Sequence, residues 1–451
     1  MADLFKTRVM AGKFRLLILL TLFIIVILAR WIGNKAFTKH EMRYDPVTVM
    51  TNENPSSRSF FENVKSVVSP VVQTRPVVSS LAWQAMSVDR PGGVSLNQTQ
   101  DVVLWRSIRK GEIPIYRVPV FTYTPKGNLV AIAEGRRISS KDFNPKIFEV
   151  RRSTDEGETW SYPQRIVDDG KSPIKRSSYI GTIFVDDTTA TIFLMYVFCE
   201  FCPTRSLMLM NSTDDGITWG RPRNITDQVG KEYATHPSPG NGIQKKQEPA
   251  KGRLVVCGHG FYNGKGLVLL LSDDHGVTWR RGAFVRSQPF KMRLKKGAFD
   301  PDECQPVELP DGSIYIVVRN EKTYKKYHCK MIMRSFDGGE TLPQNYTYLD
   351  QALIEPRITS GLWYHDETMF YSGPKHDTNR RNLYIRWSYD HGKTWTSEKR
   401  IWEEPASYST LMMLPHDKRH LYILYERGHK TEIDEIALTK LKISSENDRN
   451  E

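Results

Sequence analysis

The chain reads as all-β, a six-bladed β-propeller, on three observations. One eight-residue phrase, Ser-x-Asp-x-Gly-x-Thr-Trp, occurs five times: STDEGETW at Ser153–Trp160, STDDGITW at Ser212–Trp219, SDDHGVTW at Ser272–Trp279, SFDGGETL at Ser335–Leu342 and SYDHGKTW at Ser388–Trp395. Successive copies begin 59, 60, 63 and 53 residues apart, and a period of this size marks one supersecondary unit repeated. From Val102 to Ile443, short β-rich runs such as LVAIAE, TIFLMYVF, LVLLLS, SIYIVVR and LYILYE alternate with Gly, Pro, Asn and Asp, with no sustained helical period. At about four strands per repeat, the span divides into six blades of roughly 57 residues, five of them carrying the phrase. The sixth is expected to join Leu421–Glu426 and Glu435–Ile443 to a first strand near Val102–Trp105, which closes the ring and removes its exposed edges.

Each phrase is expected to be a hairpin turn with an aromatic packed behind it. The Asp carboxylate can accept from N–H groups of its own turn, the Gly permits a left-handed backbone, and Thr-Trp is expected to start the next strand. The fourth copy ends in Leu342, a smaller plug. These Asp boxes predict structure at the rim of a propeller, not chemistry.

The N-terminus is of another kind. Residues 1–15 form a basic tail with Lys6, Arg8, Lys13 and Arg15, and Leu16 to Ala29 is apolar apart from Thr21. That run of 14 residues fits the about 7–15 of a signal sequence and falls short of the ~20 of a membrane span. Trp31 and Ile32 extend it with Arg30 snorkelling, and no small-x-small cleavage site follows. Residues 16–32 are therefore expected to be an uncleaved signal-anchor, with a cleaved signal peptide as the alternative; both place the remainder in the secretory lumen. Residues 33–100, rich in Ser, Pro, Val and Asn, read as a stem, 101–444 as the propeller and 445–451 as a polar tail. Asn97, Asn224 and Asn345 begin glycosylation sequons suited to that lumen, and a fourth, at Asn211, abuts an Asp box. The five cysteines, Cys199, Cys202, Cys257, Cys304 and Cys329, leave at least one free or paired between chains. Cys199-x-x-Cys202 is expected to be a local disulfide or two buried thiols, since no second pair accompanies it to hold zinc. The net charge of +13 suits acidic partners such as glycans or anionic lipid; without a basic helical stripe or a nucleic-acid motif, nucleic acid is not expected.

In a propeller, ligand chemistry gathers at the axis, on the inner strands. Polar residues there include Tyr116-Arg117, Glu134-Gly-Arg136, Asp142 in the following loop, Asp302-Glu303, Arg319-Asn320, Arg380-Arg381, Tyr408 and Glu426. Singly, each has an ordinary structural reading: Asp142 a turn residue, Tyr408 a core aromatic, Glu426 a surface partner of Arg427. Three arginines from three repeats are harder to explain that way, because converging guanidinium forks grip a carboxylate.

Tyr116-Arg-Val-Pro119 with downstream Asp boxes, NGIQKKQEPAKGRLVVCGHG at Asn241–Gly260 and FDPDECQPVELPDGSIYIVVRN at Phe299–Asn320 resemble the sialidase (neuraminidase) family, and in particular the animal lysosomal sialidase. The resemblance runs in order through all five boxes and leaves out the N-terminal anchor and stem. It implies the sialidase propeller fold and retaining hydrolysis of terminal sialic acids on glycoproteins, oligosaccharides and glycolipids. It also implies an arginine triad on Arg117, Arg319 and Arg380, with Arg381 as the alternative for the third, because strand parity does not choose between them. By the same resemblance Asp142 is the acid/base, Tyr408 the nucleophile and Glu303 the base that activates it. Glu426 steadies Arg117, and Arg136 contacts the 4-hydroxyl side of the sugar.

The chemistry is coherent with those roles. The anomeric carbon of a sialic acid bears a carboxylate, so a neutral tyrosine approaches it more easily than an anionic nucleophile would, provided a base takes the phenolic proton. No cofactor or metal is implied. Expected partners are sialylated glycoconjugates, the membrane through the N-terminal segment and, by family analogy, a protective carboxypeptidase. The expected location is the lumenal side of the endolysosomal system, lysosome or cell surface; the chain's last residues, KISSENDRNE, lack the tyrosine-containing sorting signal of lysosomal members. A silent sialic-acid-binding propeller would not need Asp142, Glu303 and Tyr408 together, and a protein-sorting propeller would not need the triad.

Overall fold

The structure, a computed structural model, describes residues 73–74, 93–171, 176–200, 205–230, 235–261, 265–287, 300–321 and 328–444. All lie in one of the chain's two compact units, Val68–Glu451. The expected anchor, most of the stem and the polar tail fall outside the described residues. Among the described residues no helix is long and apolar enough to cross a membrane.

The strands follow the chain as a series of sheets in a propeller-like arrangement, antiparallel except where the two-residue strands Gln73–Thr74 and Gly240–Asn241 add in parallel to Tyr348–Ile354 and Arg176–Asp186. Gln73–Thr74 (β1) and Ser95–Arg106 (β2) come first. The first complete sheet is Ile115–Tyr123 (β3), Leu129–Arg136 (β4), Lys146–Ser153 (β5) and Gln164–Asp168 (β6), paired in that order. Arg176–Asp186 (β7), Thr191–Glu200 (β8), Arg205–Ser212 (β9) and Arg223–Asn224 (β10) form the second, which a one-turn helix, Thr226–Val229 (α1), follows. Three two-residue strands, His236–Pro237 (β11), Gly240–Asn241 (β12) and Ile243–Gln244 (β13), precede Leu254–Phe261 (β14), Lys265–Ser272 (β15) and Arg280–Arg286 (β16); β12 extends the second sheet, and the others belong to the third. Pro301–Glu308 (β17), Ile314–Asn320 (β18), Cys329–Ser335 (β19) and Tyr348–Ile354 (β20) make the fourth, with β1 alongside β20.

The last sheet has seven strands: Gly361–His365 (β21), Thr368–Pro374 (β22), Arg381–Ser388 (β23), Ser397–Met412 (β24), His420–Arg427 (β25), Glu435–Ser444 (β26) and the early strand β2. β24 pairs with β23 through Pro405 and with β25 from Ala406. The two ends of the described chain meet in this sheet, where Leu96 lies opposite Ile443, Val102 opposite Leu438 and Arg106 opposite Glu435. The closing strand near Val102–Trp105 is thus present, but it begins at Ser95, before the stem boundary expected at residue 100.

Strands buried on both faces explain the continuous apolar runs; β4 and β22 are buried at every position. The apolar side chains gather into clusters between successive sheets, such as Val120, Ile132, Ile183 and Leu194 between the first and second, and Leu269, Ile316 and Met331 between the third and fourth. One cluster closes the circuit, packing Phe121, Leu129 and Ala131 of the first sheet on Tyr422, Leu424 and Leu438 of the last. Another lies within the seven-stranded sheet, where Phe370, Leu383 and Trp387 meet Leu421, Ile423 and Leu441.

All five Asp boxes adopt one hydrogen-bonded form, linking the third strand of a repeat to the fourth. In the first, the Ser153 hydroxyl donates to Asp155 at 2.7 Å and accepts from Gly157 N, and Asp155 receives Thr159 N at 2.9 Å and the Thr159 hydroxyl at 2.5 Å. The same set recurs around Asp214, Asp274, Asp337 and Asp390. The turn needs two successive left-handed residues: Glu156 at φ 56 and Gly157 at φ 95 in the first box. The Thr-Trp pair does not itself start a strand. The last position of each box instead plugs the gap to the preceding sheet: Trp160, Trp219, Trp279, Leu342 and Trp395 each join the cluster between their own repeat and the one before. Burying a large apolar side chain there contributes roughly 1.5–3 kcal/mol, which ties turn geometry to ring assembly.

Two cysteine expectations resolve. Cys257 and Cys304 form a disulfide between β14 and β17, and Cys329 is free and buried. Cys199 is disulfide-bonded, and Cys202, expected to pair with it, lies outside the described residues. Asn97, Asn224 and Asn345 are exposed, whereas Asn211 beside its box is half-buried.

Candidate active site

The sequence-predicted residues converge although they come from different sheets. Tyr408, on β24, is almost fully buried and donates its hydroxyl to Glu303 Oε1 of β17 at 2.5 Å, across 105 residues of sequence. Arg319, on β18, places Nη1 2.7 Å from Glu303 Oε2 and 3.1 Å from the Tyr408 hydroxyl. Arg117, on β3, and Arg380, just before β23, hold their guanidinium carbons 5.7 and 5.6 Å from the Tyr408 ring centroid. Three cations and one carboxylate therefore surround one phenol.

Each arginine has a different support. Arg117 makes a bidentate pair with Glu426, at 3.0 and 3.1 Å, and Glu426 also accepts from Val118 N and Tyr408 N. Glu426 is fully buried, so the expectation that it steadies Arg117 fits and the surface-partner reading does not; Arg427 pairs instead with Asp101 and Glu435. Burial works to raise the Glu426 pKa, but Arg117 outweighs it and holds the carboxyl below its ordinary value. Arg319 directs Nε and Nη2 at Glu321, at 2.8 and 2.7 Å. Arg380 touches only neutral oxygens, Ser407 Oγ and Arg357 O, each at 3.3 Å, and has no carboxylate partner among the described residues. Arg381 is exposed, so of the two it is Arg380 that lies beside the Tyr408 ring.

The strands reach this convergence through irregularities. Pairing shifts between Arg117 and Val120, between Pro301 and Cys304, between Arg381 and Leu383 and between Ala406 and Ser409. Bulges of this kind re-aim side chains, and Arg117, Glu303, Arg380 and Tyr408 all lie within or beside one.

Asp142 occupies the loop between β4 and β5, its side chain 71% exposed and its Oδ1 2.8 Å from Arg136 Nη1. Arg136 is buried and is itself held by Glu134 at 2.9 Å. Partial desolvation works to raise the Asp142 pKa, but Arg136 and Arg117 outweigh it, so the carboxyl sits below its usual range. Burial, and then the Glu303 charge, push the Tyr408 hydroxyl well above the usual tyrosine value, with Arg319 and Arg380 pulling the other way. A neutral phenol that hands its proton to a touching carboxylate, beside guanidinium groups able to bind an anion, can perform nucleophilic substitution at a carbon next to a carboxylate.

Sequence reasoning missed Glu321, Lys146 and Ser177, and named Glu134 at the axis without giving it a role. Glu321 could have been found, and Glu134 given its role, since each lies two residues from an arginine it holds. Lys146 and Ser177 carry no such local signal. Among the described residues, Glu156, Asp417 and His420 could share a cation, but Lys440 already neutralises Glu156 and His420 pairs with Asp417.

Residues 119–421 match the family described as BNR repeat-like domain. A sialidase of Micromonospora viridifaciens is 31% identical over 400 residues, covering 81% of this chain and 58% of that protein. A sialidase of Bacteroides fragilis (strain YCH46) is 25% identical over 346 residues, covering 69% of this chain and 60% of that one. Among solved structures, a Hadza microbial sialidase superposes with a TM-score of 0.64 at 25% identity, covering 73% of this chain and 66% of its own. The chain thus spans less than two thirds of the length of each of these relatives.

Proposed function

The chain belongs to the sialidase family, whose BNR repeat-like domain it carries, and from that premise we propose that it is a retaining exo-α-sialidase acting on glycoproteins, oligosaccharides and glycolipids. The observation that carries the proposal is the 2.5 Å hydrogen bond from Tyr408 to Glu303, with Arg319 on both partners. We read the seven-stranded sheet as two blades joined through β24, which makes six; the cluster between its two halves supports that division.

In this reading Arg117, Arg319 and Arg380 hold the substrate carboxylate. The Tyr408 oxygen attacks the anomeric carbon while its proton passes to Glu303. The glycosidic C–O bond breaks as Asp142 protonates the departing oxygen. Water then attacks the same carbon, Asp142 takes its proton, the tyrosyl bond breaks and Glu303 returns the proton to Tyr408. Two displacements at one carbon retain configuration. Arg136, expected at the 4-hydroxyl side of the sugar, also forms a salt bridge to Asp142, which supports a part in holding the acid/base.

The pH dependence follows from Asp142. Arg117 helps depress its pKa in the free protein. A bound substrate carboxylate offsets that charge, so Asp142 retains its proton more readily in the complex. Activity is expected to rise as the pH falls from neutral toward the carboxylate range. The test is a fluorogenic sialoside assay across pH, with proton NMR of the first product. Release of α-sialic acid with an acidic optimum is the expected result; no hydrolysis at any pH, or the β-anomer formed first, overturns the proposal.

A lumenal location, anchored through the N-terminal segment, is part of the same proposal. The Cys257–Cys304 disulfide and the exposed sequon residues Asn97, Asn224 and Asn345 support it.

A further inference from the structure

The loop that presents Asp142 is closed at its base by Arg136 and Lys146, which lie opposite each other across β4 and β5. Arg136 holds the Asp142 carboxylate from one end. From the other end, the Lys146 ammonium donates to the main-chain carbonyl of Asp142. The Ser177 hydroxyl, on β7, lies 3.0 Å from the same carbonyl and 3.0 Å from Asn144 O, and Lys146 Nζ donates to Ser177 at 2.8 Å. Lys146 is completely buried, with Nζ 4.0 Å from the Tyr179 ring centroid.

A buried ammonium is a poor way to stabilise a core. Burial draws the Lys146 pKa down to about 8, although Glu134, Asp169 and Asp142 act to raise it, and an uncharged side chain of similar length would avoid that desolvation. What the ammonium adds is a strong donor aimed at one carbonyl. That carbonyl belongs to a residue whose side chain is mostly exposed and, among the described residues, salt-bridged to Arg136 alone, so the backbone anchor decides where the carboxyl swings.

We propose that Lys146, with Ser177, is a positioning residue that fixes the reach of Asp142 toward the leaving oxygen by clamping its main-chain carbonyl. The proposal rests on the sialidase reading above and assigns Lys146 no contact with substrate. Displacing a reacting group by about 1 Å can cost ~10²-fold in rate, and here the loss falls on the one step that needs the proton. A substrate with a poor leaving group depends on that proton, whereas an aryl sialoside departs without it.

The test uses the full chain and compares sialyllactose with 4-methylumbelliferyl sialoside. Lys146→Met is expected to lower kcat/KM on sialyllactose by about 10- to 10²-fold and on the aryl substrate by less than about threefold. Ser177→Ala, a gentler change, is expected to shift the same ratio in the same direction by a smaller factor, which keeps the question answerable if Lys146→Met folds poorly. In the Asp142→Ala background, Lys146→Met is expected to add no further loss on sialyllactose, since two residues acting through one group are non-additive. Equal losses on both substrates for both single variants, or a full additional loss in the Asp142→Ala background, overturn the proposal while leaving the enzyme a sialidase. A wild-type protein that hydrolyses neither substrate overturns the sialidase reading, and this one with it.

Discussion

Tyr408→Phe is expected to lower kcat/KM on sialyllactose by about 10³-fold or more while the protein remains folded. The substitution removes one oxygen from a ring that otherwise packs with Val120, Ile132 and Ile180. That oxygen is the atom within 2.5 Å of Glu303 and 3.1 Å of Arg319, so its loss deletes the bond-forming atom and leaves the base with no proton to accept. Glu303 keeps its ion pair with Arg319 at 2.7 Å, which limits the cost to folding. Steady-state kinetics beside a thermal melt check both halves. Activity within tenfold of wild type, with an unchanged melting temperature, would mean that the phenol is a packing residue.

Arg319→Lys is expected to cost about 10²-fold in kcat/KM with little loss of net charge. The arginine serves three groups at once: Nη1 on Glu303 and Tyr408, and Nε with Nη2 on Glu321. A lysine ammonium is a single point and cannot reproduce that fork. Each lost charge-assisted bond is worth roughly 1.5–3 kcal/mol, so two of them suffice for the expected effect. The Glu303 and Glu321 carboxylates would also be left partly unpaired, so the melting temperature should fall. Near-normal kinetics on both sialyllactose and the aryl substrate would remove Arg319 from the site.

Much of this arrangement was readable from the sequence because it rests on local chemistry. The Asp boxes are self-contained turns, and their hydrogen bonds depend on residues within five positions of each other, so composition alone announces them. The packed residue behind each turn was legible, but the strand start expected at Thr-Trp does not form, since Thr-Trp propensity yields to packing against the preceding sheet. The convergence of Arg117, Glu303, Arg380 and Tyr408 came from resemblance; no periodicity could supply it, because four pairing irregularities re-aim the chain at those positions. Arg380 against Arg381 shows the reason most plainly. Alternation along a strand cannot choose between them, because Asn382 adopts φ 57 at a shift in pairing, and parity does not survive a bulge. Lys146 was passed over for a related reason: its partners are a main-chain carbonyl and a serine of another sheet, and neither is marked by residue type. The Cys257–Cys304 bridge joins strands of different sheets, which spacing along the chain does not reveal.

Covalent trapping separates a nucleophilic Tyr408 from every reading in which it only shapes the site. A 2,3-difluoro sialic acid carries fluoride as the leaving group at C2 and a second fluorine at C3 that slows breakdown of the adduct, so the intermediate should accumulate. After incubation with the full chain and digestion, mass spectrometry should find one sialyl adduct on the peptide containing Tyr408, absent from Tyr408→Phe, with activity returning as the adduct is lost. A label on any other residue, or full activity with no label at saturating reagent, would contradict Tyr408 as the nucleophile and with it the retaining mechanism proposed for this protein.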